Sequence, residues 1–215
     1  MNHRDVRVDL GDARLDGALA VAPGGAGLVI FAHGSGSGRL SPRNLQVAGV
    51  LNRAGLSTLL FDLLTPDEQA LDERTGELRF AIELLTARLV GVIDWAQREP
   101  ATTGLRIGLF GASTGAAAAL GAAAERPNGV AAVVSRGGRP DLALASLPAV
   151  TAPTLLIVGG EDDVVIELNR KAAARLRAPH RLDIVPGATH LFPEPGALER
   201  VAELTRDWFV EHLVR

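Results

Sequence analysis

The chain has no cysteine among its 215 residues and only one lysine, Lys171. Without cysteine it can form neither a disulfide nor a thiolate metal site. No two of its five histidines have metal-ligand spacing, so we expect no bound metal. No uninterrupted apolar run approaches the length of a bilayer span, and residues 1–7 lack the apolar segment of a secretory signal. We therefore expect a cytoplasmic protein that does not act on a membrane.

Composition and net charge are those of an ordinary globular domain. Hydrophobic residues make up 47% and charged residues 22% of the chain, whose formal net charge is −3. This charge gives no reason to expect nucleic acid or an anionic membrane as a partner. The length suits one domain over residues 1–215 with a sizeable core, and it is compatible with a homodimer.

Apolar runs alternate with helical patterns along most of the chain. Two short strands meet at the turn Gly11-Asp12, which predicts an antiparallel hairpin. The later alternation of strands and helices predicts an α/β fold with a mostly parallel sheet, helices on both faces and no lid domain. We expect strands over 6–10, 14–21, 28–32, 57–61, 105–110, 130–134, 154–158 and 182–185, and helices over 44–54, 77–97, 116–124, 164–176 and 198–213.

The stretch Gly111-Ala112-Ser113-Thr114-Gly115 has the pattern of a nucleophile elbow. In such an elbow a serine sits on a tight strand-to-helix turn that exposes its hydroxyl above the sheet. The turn strains the serine backbone and leaves no room for side chains two residues away, which accounts for both glycines. The following helix would aim free backbone N–H groups at the site. We interpret Ser113 as a nucleophile, the alternative being a glycine-rich turn without chemistry.

Candidate partners for Ser113 follow two later strands. Glu161, Asp162 and Asp163 come directly after the seventh predicted strand, and His190 lies on a loop after the eighth. A histidine can take the serine proton during attack on a carbonyl, and a carboxylate can orient that histidine. Because the carboxyl ends of parallel strands share one edge of a sheet, we expect Ser113, one of these acids and His190 to meet there. Taken singly, the acids could form a solvated turn and His190 could be an ordinary loop histidine.

These residues resemble the α/β-hydrolase superfamily and, within it, the dienelactone-hydrolase-like branch. The resemblance covers nearly the whole chain and rests on Phe31-Ala32-His33-Gly34-Ser35-Gly36-Ser37-Gly38, on the Ser113 elbow, on Gly159-x-x-Asp162-x-x-Val165 and on Gly187-Ala188-Thr189-His190. It implies an α/β-hydrolase fold and a triad of Ser113, Asp162 and His190, with Asp162 as the acid because it stands three residues after Gly159.

Two further points of the resemblance concern substrate and domain content. Dienelactone hydrolases proper use a cysteine nucleophile, so the serine at position 113 favours ordinary esterase chemistry. Residues 33–44 are similar to hydrolase domains that occur alone or fused to phosphoribosyltransferase-like domains. We expect no such additional domain within these 215 residues.

A tetrahedral intermediate needs two hydrogen-bond donors for its oxyanion. The backbone N–H of Thr114, next to the nucleophile, is one. We expect the other from the glycine-rich loop after the third strand, at Ser35 or, failing that, Gly36. A phosphate-binding interpretation of this loop is weak, because it lacks the Lys-Ser/Thr end of a P-loop and the spacing of a dinucleotide fingerprint. We therefore expect no cofactor, and we interpret His33 as a structural residue bonded to nearby backbone.

Three arginines, Arg39, Arg136 and Arg139, are predicted at the same edge of the sheet. A guanidinium there could bind an anionic group of the substrate, since its planar fork matches a carboxylate or a phosphate. The alternative is that these arginines pair with nearby acids such as Asp62 and Asp141.

The polar segment 64–76 follows the fourth strand and is expected to line or cover the pocket. With no larger insertion, the site is expected to be open and to take small molecules. Together these features predict a serine hydrolase that cleaves a carboxylic ester, thioester or lactone through an acyl-enzyme on Ser113. The alternatives are an acyltransferase with the same triad and a non-catalytic binding protein with a hydrolase fold.

Overall fold

A computed structural model of the chain describes residues 2–25 and 27–214, and its centre is an eight-stranded sheet. The spatial order of the strands is β1-β2-β4-β3-β5-β6-β7-β8. β2 pairs antiparallel with β1 and with β4, and the pairs from β4 through β8 are all parallel. The strands are β1 (Asn2–Asp9), β2 (Arg14–Val21), β3 (Gly27–Ala32), β4 (Ser57–Phe61), β5 (Arg106–Ala112), β6 (Ala132–Arg136), β7 (Thr154–Gly159) and β8 (His180–Val185). The predicted fold class is confirmed.

The sheet carries an apolar core on each face. Leu28 and Ile30 of β3 point into one core with α3 and α4, while Val29 and Phe31 point into the other with α1 and α6. A central parallel strand buried on both sides has this continuous apolar character. The helices are α1 (Pro42–Arg53), α2 (Pro66–Thr75), α3 (Ile82–Arg98), α4 (Thr114–Glu125), α5 (Asp163–Ala173) and α6 (Ala197–Leu213).

The expected helix over 77–97 is wrong at its start, and a separate helix precedes it. The α3 helix begins only at Ile82, and residues 78–80 form a short 3₁₀ turn. Apolar periodicity did not predict α2, because this helix has almost no apolar face. It is stabilised at its ends instead, by a capping box between Thr65 and Glu68 and by Gly76 in the left-handed conformation.

Two smaller shifts of boundary affect the functional edge of the sheet. α1 begins at Pro42 rather than at residue 44, since Ser41 caps it and proline suits the first helical position. β6 ends at Arg136 rather than at residue 134, so Arg136 is the last residue of the strand and not part of a loop. Its side chain is therefore placed by the sheet.

Within the described ranges, no helix combines the length and the apolar composition that a membrane span requires. Likewise, no group of three or more histidine and acidic side chains in that part of the chain could hold a metal ion.

Candidate active site

Ser113 occupies the tight turn between β5 and α4. Its backbone has φ 49° and ψ −120°, a conformation that residues other than glycine rarely adopt. A Cβ added to Gly115 would lie 2.3 Å from the carbonyl oxygen of Ala32, and one added to Gly111 would lie 2.4 Å from the Cα of Ala116. Both elbow glycines are therefore required by backbone contacts, as the pattern predicts.

The Ser113 backbone is anchored to the turn that follows β6, residues 136–139, called here the β6 turn. The N–H of Ser113 donates to the carbonyl of Arg136 (3.2 Å), and the N–H of Arg139 donates to the carbonyl of Ser113 (3.0 Å). Asn169, fully buried on α5, donates from Nδ2 to the carbonyl of Gly138 (3.0 Å). The β6 turn thus binds both the N–H and the carbonyl of the strained serine, and the side chain of Asn169 fixes the turn.

His190 and Asp162 form a direct pair. Nδ1 of His190 lies 2.6 Å from Oδ2 of Asp162, and because a carboxylate only accepts, Nδ1 carries the proton and donates. In the neutral imidazole Nε2 then has no proton and can accept one from a serine hydroxyl. The two neighbouring acids, Glu161 and Asp163, are exposed to solvent.

His190 and Ser113 each contact the β6 turn. Gly137 has φ 50°, and a Cβ built on it would lie 3.0 Å from the carbonyl oxygen and 3.6 Å from Cε1 of His190. His190 therefore packs on the residue next to the one whose carbonyl holds Ser113. The structure thus brings all three residues of the predicted triad to the carboxyl edge of β5, β6 and β7.

The loop after β3 lies directly against the nucleophile. A Cβ added to Gly34 would be 3.1 Å from Cβ of Ser113. Ser35, Gly36 and Thr114 line one small cavity at this point. The structure thus places the predicted donor Thr114 and both candidates for the second donor, Ser35 and Gly36, around the same space beside Ser113.

His33 links this loop to the end of β4. Its Nε2 accepts the backbone N–H of Leu63 (3.0 Å), so its Nδ1 carries the proton and donates to the carbonyl of Gly34 (2.9 Å). Burial lowers the pKa of His33, while the bond to Gly34 and the charge of Asp62 oppose the shift. His33 is a positioning residue that needs its neutral form to hold the loop after β3, residues 33–41, called here the oxyanion loop for its expected role.

This lowered pKa predicts a pH-dependent stability. Below about pH 6.5 the unfolded chain binds a proton at residue 33 that the folded chain resists, so stability is full above that pH and falls as the pH drops. The slope contributed is at most about 1.4 kcal/mol per pH unit. Melting temperatures between pH 8 and pH 5 should fall for the wild type and fall less for His33→Gln.

The exposed His180 supplies the control for this measurement. A His180→Gln variant should keep the full pH dependence of the wild type. Equal slopes in the wild type and in His33→Gln would show that His33 is not the group responsible.

A cleft of about 540 Å³ opens beside the oxyanion loop, between residues 36–41 and the start of α2. Pro66 and Gln69 of α2 form part of its wall, so the polar segment does line the pocket region. α2 is held in place by Arg88, which donates both to Glu68 of α2 and to Asp12 of the β1–β2 turn (2.9 Å each).

Asp72 and Arg79 were not singled out from the sequence, yet they line the small cavity beside Ser113. Burial alone would raise the pKa of Asp72, but hydrogen bonds from the backbone and guanidinium of Arg79 hold this pKa below its usual range. Nη1 of Arg79 lies 3.8 Å from the position of a Cβ on Gly36. The Thr65-x-x-Glu68 capping pattern would have revealed the helix that carries Asp72.

The three arginines of the sheet edge have different environments. Arg39 forms an ion pair with Asp62, and Arg139 forms a two-pronged pair with Asp141. Arg136 is only 6% exposed and has no acidic partner among the described residues. The first two positive charges are therefore neutralised within the protein, and the third is not.

The match to a family model establishes the affiliation of the chain. Residues 28–211, which include Ser113, Asp162 and His190, match the model described as the dienelactone hydrolase family. The chain belongs to this family. A family member of known structure, the dienelactone hydrolase from Anabaena variabilis ATCC 29413, is 57% identical with a TM-score of 0.97, over 99% of this chain and 98% of that one.

More distant structures share the fold. Est1E from Butyrivibrio proteoclasticus is 17% identical with a TM-score of 0.82, over 98% of this chain and 99% of that one. At this identity the likeness concerns the fold alone. The expected membership of the dienelactone-hydrolase-like branch of the α/β hydrolases is confirmed.

One relative is considerably longer than the present chain. The Mycobacterium tuberculosis (strain ATCC 25618 / H37Rv) protein named "Putative phosphoribosyl transferase Rv0571c" is 55% identical over 213 residues. These residues are 99% of this chain but 47% of the relative. The chain therefore spans about half the length of that relative.

Proposed function

We propose that this protein is a serine hydrolase that cleaves carboxylic esters, thioesters or lactones of small molecules through an acyl-enzyme on Ser113. The observation that carries the proposal is the strained elbow, with Ser113 at φ 49° directly before α4 and the His190–Asp162 pair packed on the β6 turn that also binds Ser113. A simple strand-to-helix connection has no need of this strain, which a nucleophile does need.

The first half of the reaction forms the acyl-enzyme. Nε2 of His190 takes the hydroxyl proton as Oγ of Ser113 bonds to the carbonyl carbon. The N–H groups of Thr114 and Ser35 hold the resulting oxyanion, and the positive end of the α4 dipole adds to this stabilisation. As the intermediate collapses, the alcohol or thiol leaves with the proton from His190.

The second half releases the acid. Water gives a proton to His190 and attacks the acyl carbon, and the second intermediate expels Ser113, which recovers its proton. Throughout, Asp162 keeps the imidazole oriented and stabilises its charged form. For a lactone substrate, the leaving alcohol stays attached to the acyl group, and the product is a single hydroxy acid.

The phosphoribosyl transferase name belongs to relatives of which this chain spans about half. The residues that this chain brings to its sheet edge suit acyl chemistry instead. Transfer of the acyl group to an alcohol or amine would use the same triad, and product analysis with such acceptors added separates transfer from hydrolysis.

Covalent labelling with a fluorophosphonate probe tests the proposal. The wild type should be labelled on the peptide that contains Ser113, because only an activated serine displaces fluoride from such probes. Ser113→Ala should not be labelled, whereas Ser146→Ala, which alters a serine outside the site, should be labelled like the wild type. An unlabelled wild type, or label retained in Ser113→Ala, would refute the proposal.

A further inference from the structure

Arg136 places a buried positive charge beside the candidate active site. Its side chain is 6% exposed, and its Nε and Nη1 atoms are shielded from solvent without a hydrogen-bond partner in the described part of the chain. A buried guanidinium without a carboxylate is unfavourable, because it loses its hydration and gains nothing in return. Such an arrangement is expected where a ligand supplies the missing negative charge.

The strand register fixes the face on which Arg136 lies. Ala132 and Val134 of β6 point into the core shared with α1 and α6, and alternation along a strand gives Arg136 the same direction. Its neighbours across the sheet are Ala112 and Ile157. Arg136 therefore extends on the side of the sheet that α1 and α6 cover.

Arg136 is also directly connected to the catalytic groups. Its carbonyl accepts the N–H of Ser113, and the next residue, Gly137, contacts His190. A small substrate could therefore reach Ser113 while one of its groups is bound by the side chain of Arg136.

A second positive group faces Arg136 from α1. Arg43, in the first turn of that helix, is close enough for its charge to add to the effect of burial, which lowers the pKa of Arg136 to about 10. The Arg136 guanidinium remains charged at neutral pH. Nε of Arg43 is likewise buried without a partner. Two guanidinium groups therefore lie near each other at the positive end of α1, and neither has a carboxylate partner among the described residues.

The other arginines at this edge show that acids are available nearby. Arg39 is paired with Asp62, and Arg139, three residues after Arg136, is paired with Asp141. Arg136 and Arg43 differ from these two arginines in having no ion-pair partner among the described residues.

We propose that Arg136 and Arg43 form a binding site for the carboxylate or phosphate group of the substrate, on the α1 side of Ser113. This inference rests on the proposed hydrolase function and narrows it to anionic esters. The planar forks of the two arginines can each donate to the oxygens of such a carboxylate or phosphate.

A matched pair of substrates tests the site. Mono-4-nitrophenyl succinate and 4-nitrophenyl butyrate have the same acyl length and leaving group, and they differ by a terminal carboxylate. Arg136→Met should lower kcat/KM for the succinate by about 10- to 100-fold, mainly through KM, and change that for the butyrate by less than about threefold. The kcat/KM of Arg136→Lys for the succinate should lie between the values of the wild type and of Arg136→Met, since lysine keeps the charge but lacks the planar fork of donors. Arg126→Met, which removes an arginine paired with Asp94 at the far end of α4, is the control for a general charge effect.

Anion binding measured without turnover separates this proposal from the proposed function. Inorganic phosphate and succinate should raise the melting temperature of the wild type and of Arg126→Met, but not that of Arg136→Met or Arg43→Met. The larger of the two wild-type responses identifies phosphate or carboxylate as the preferred group. Equal losses on both esters in Arg136→Met, or no thermal response of the wild type to either anion, would overturn the site. A failure of the hydrolase proposal would appear separately, as absent labelling of Ser113 with the thermal response intact.

Discussion

Replacing Ser113 with alanine is expected to lower kcat for a 4-nitrophenyl ester by a factor on the order of 10⁴ to 10⁶. In the proposed mechanism the hydroxyl of Ser113 forms the acyl-enzyme, and alanine leaves His190 with no hydroxyl to deprotonate. The backbone strain at φ 49° is unchanged by the substitution, so the melting temperature should stay within about 2 °C of the wild type. Steady-state kinetics with the 4-nitrophenyl ester measures kcat, and thermal denaturation of the same samples measures the melting temperature.

The control for this variant is Ser146→Ala, whose serine lies at a short 3₁₀ turn away from the elbow. It should keep wild-type kcat and stability. Turnover in Ser113→Ala above a tenth of the wild-type value would mean that another residue performs the chemistry.

Replacing Gly115 with alanine is expected to disrupt the elbow itself. The new Cβ would lie 2.3 Å from the carbonyl oxygen of Ala32 and 2.4 Å from that of His33, so α4 and the end of β3 must separate. Because both contacts are to backbone and no flexible side chain can move aside, we expect a loss of about 3 kcal/mol or more of stability. For a chain of this length this corresponds to a fall in melting temperature of roughly 6–12 °C. The melting temperature and the ester turnover should both decline, since the expected oxyanion donors Ser35 and Thr114 lie on the two segments that must separate.

Gly49→Ala is the matched control, a glycine-to-alanine change that is expected to raise the stability rather than lower it. Gly49 lies inside α1, where a Cβ would meet only the end of the Arg53 side chain at 3.5 Å. Alanine there should stabilise the helix by about 0.5–1 kcal/mol. A Gly115→Ala protein as stable as the wild type would show that the close packing at the elbow is not as described.

The central strands β3 to β7 could be read from local sequence because each contains an apolar run, and β1 and β2 could be read from the turn between them. The strand before Ser113, the glycines around it and the order serine, acid, histidine are all local patterns with a direct physical meaning. The eight expected strands and the five expected helices are all present, with shifts of boundary. α2 was missed because its stability comes from its caps rather than from an apolar stripe.

The partners of charged side chains could not be assigned from local sequence. Arg39 and Arg136 fit the same description in the chain, a basic residue after a strand, and the alternatives of ion pair and substrate contact stayed open for both. In the structure one meets Asp62 and the other meets Arg43. Such contacts depend on the spacing of distant segments, here the end of β4 and the first turn of α1.

The amino-acid sequence by itself determined the α/β class, the elbow at Ser113 and the succession of an acidic turn and a histidine loop, because these follow from periodicity and from the steric needs of glycine over a few residues. Only the tertiary structure showed that Asp162, the acid that the resemblance favoured, contacts His190 and that Ser113 and His190 share the β6 turn. It alone also showed that Arg136 has no carboxylate partner among the described residues. The physical reason is that hydrogen bonds and charge pairs act over a few ångströms, and the sheet order, not the order of residues in the chain, sets those distances.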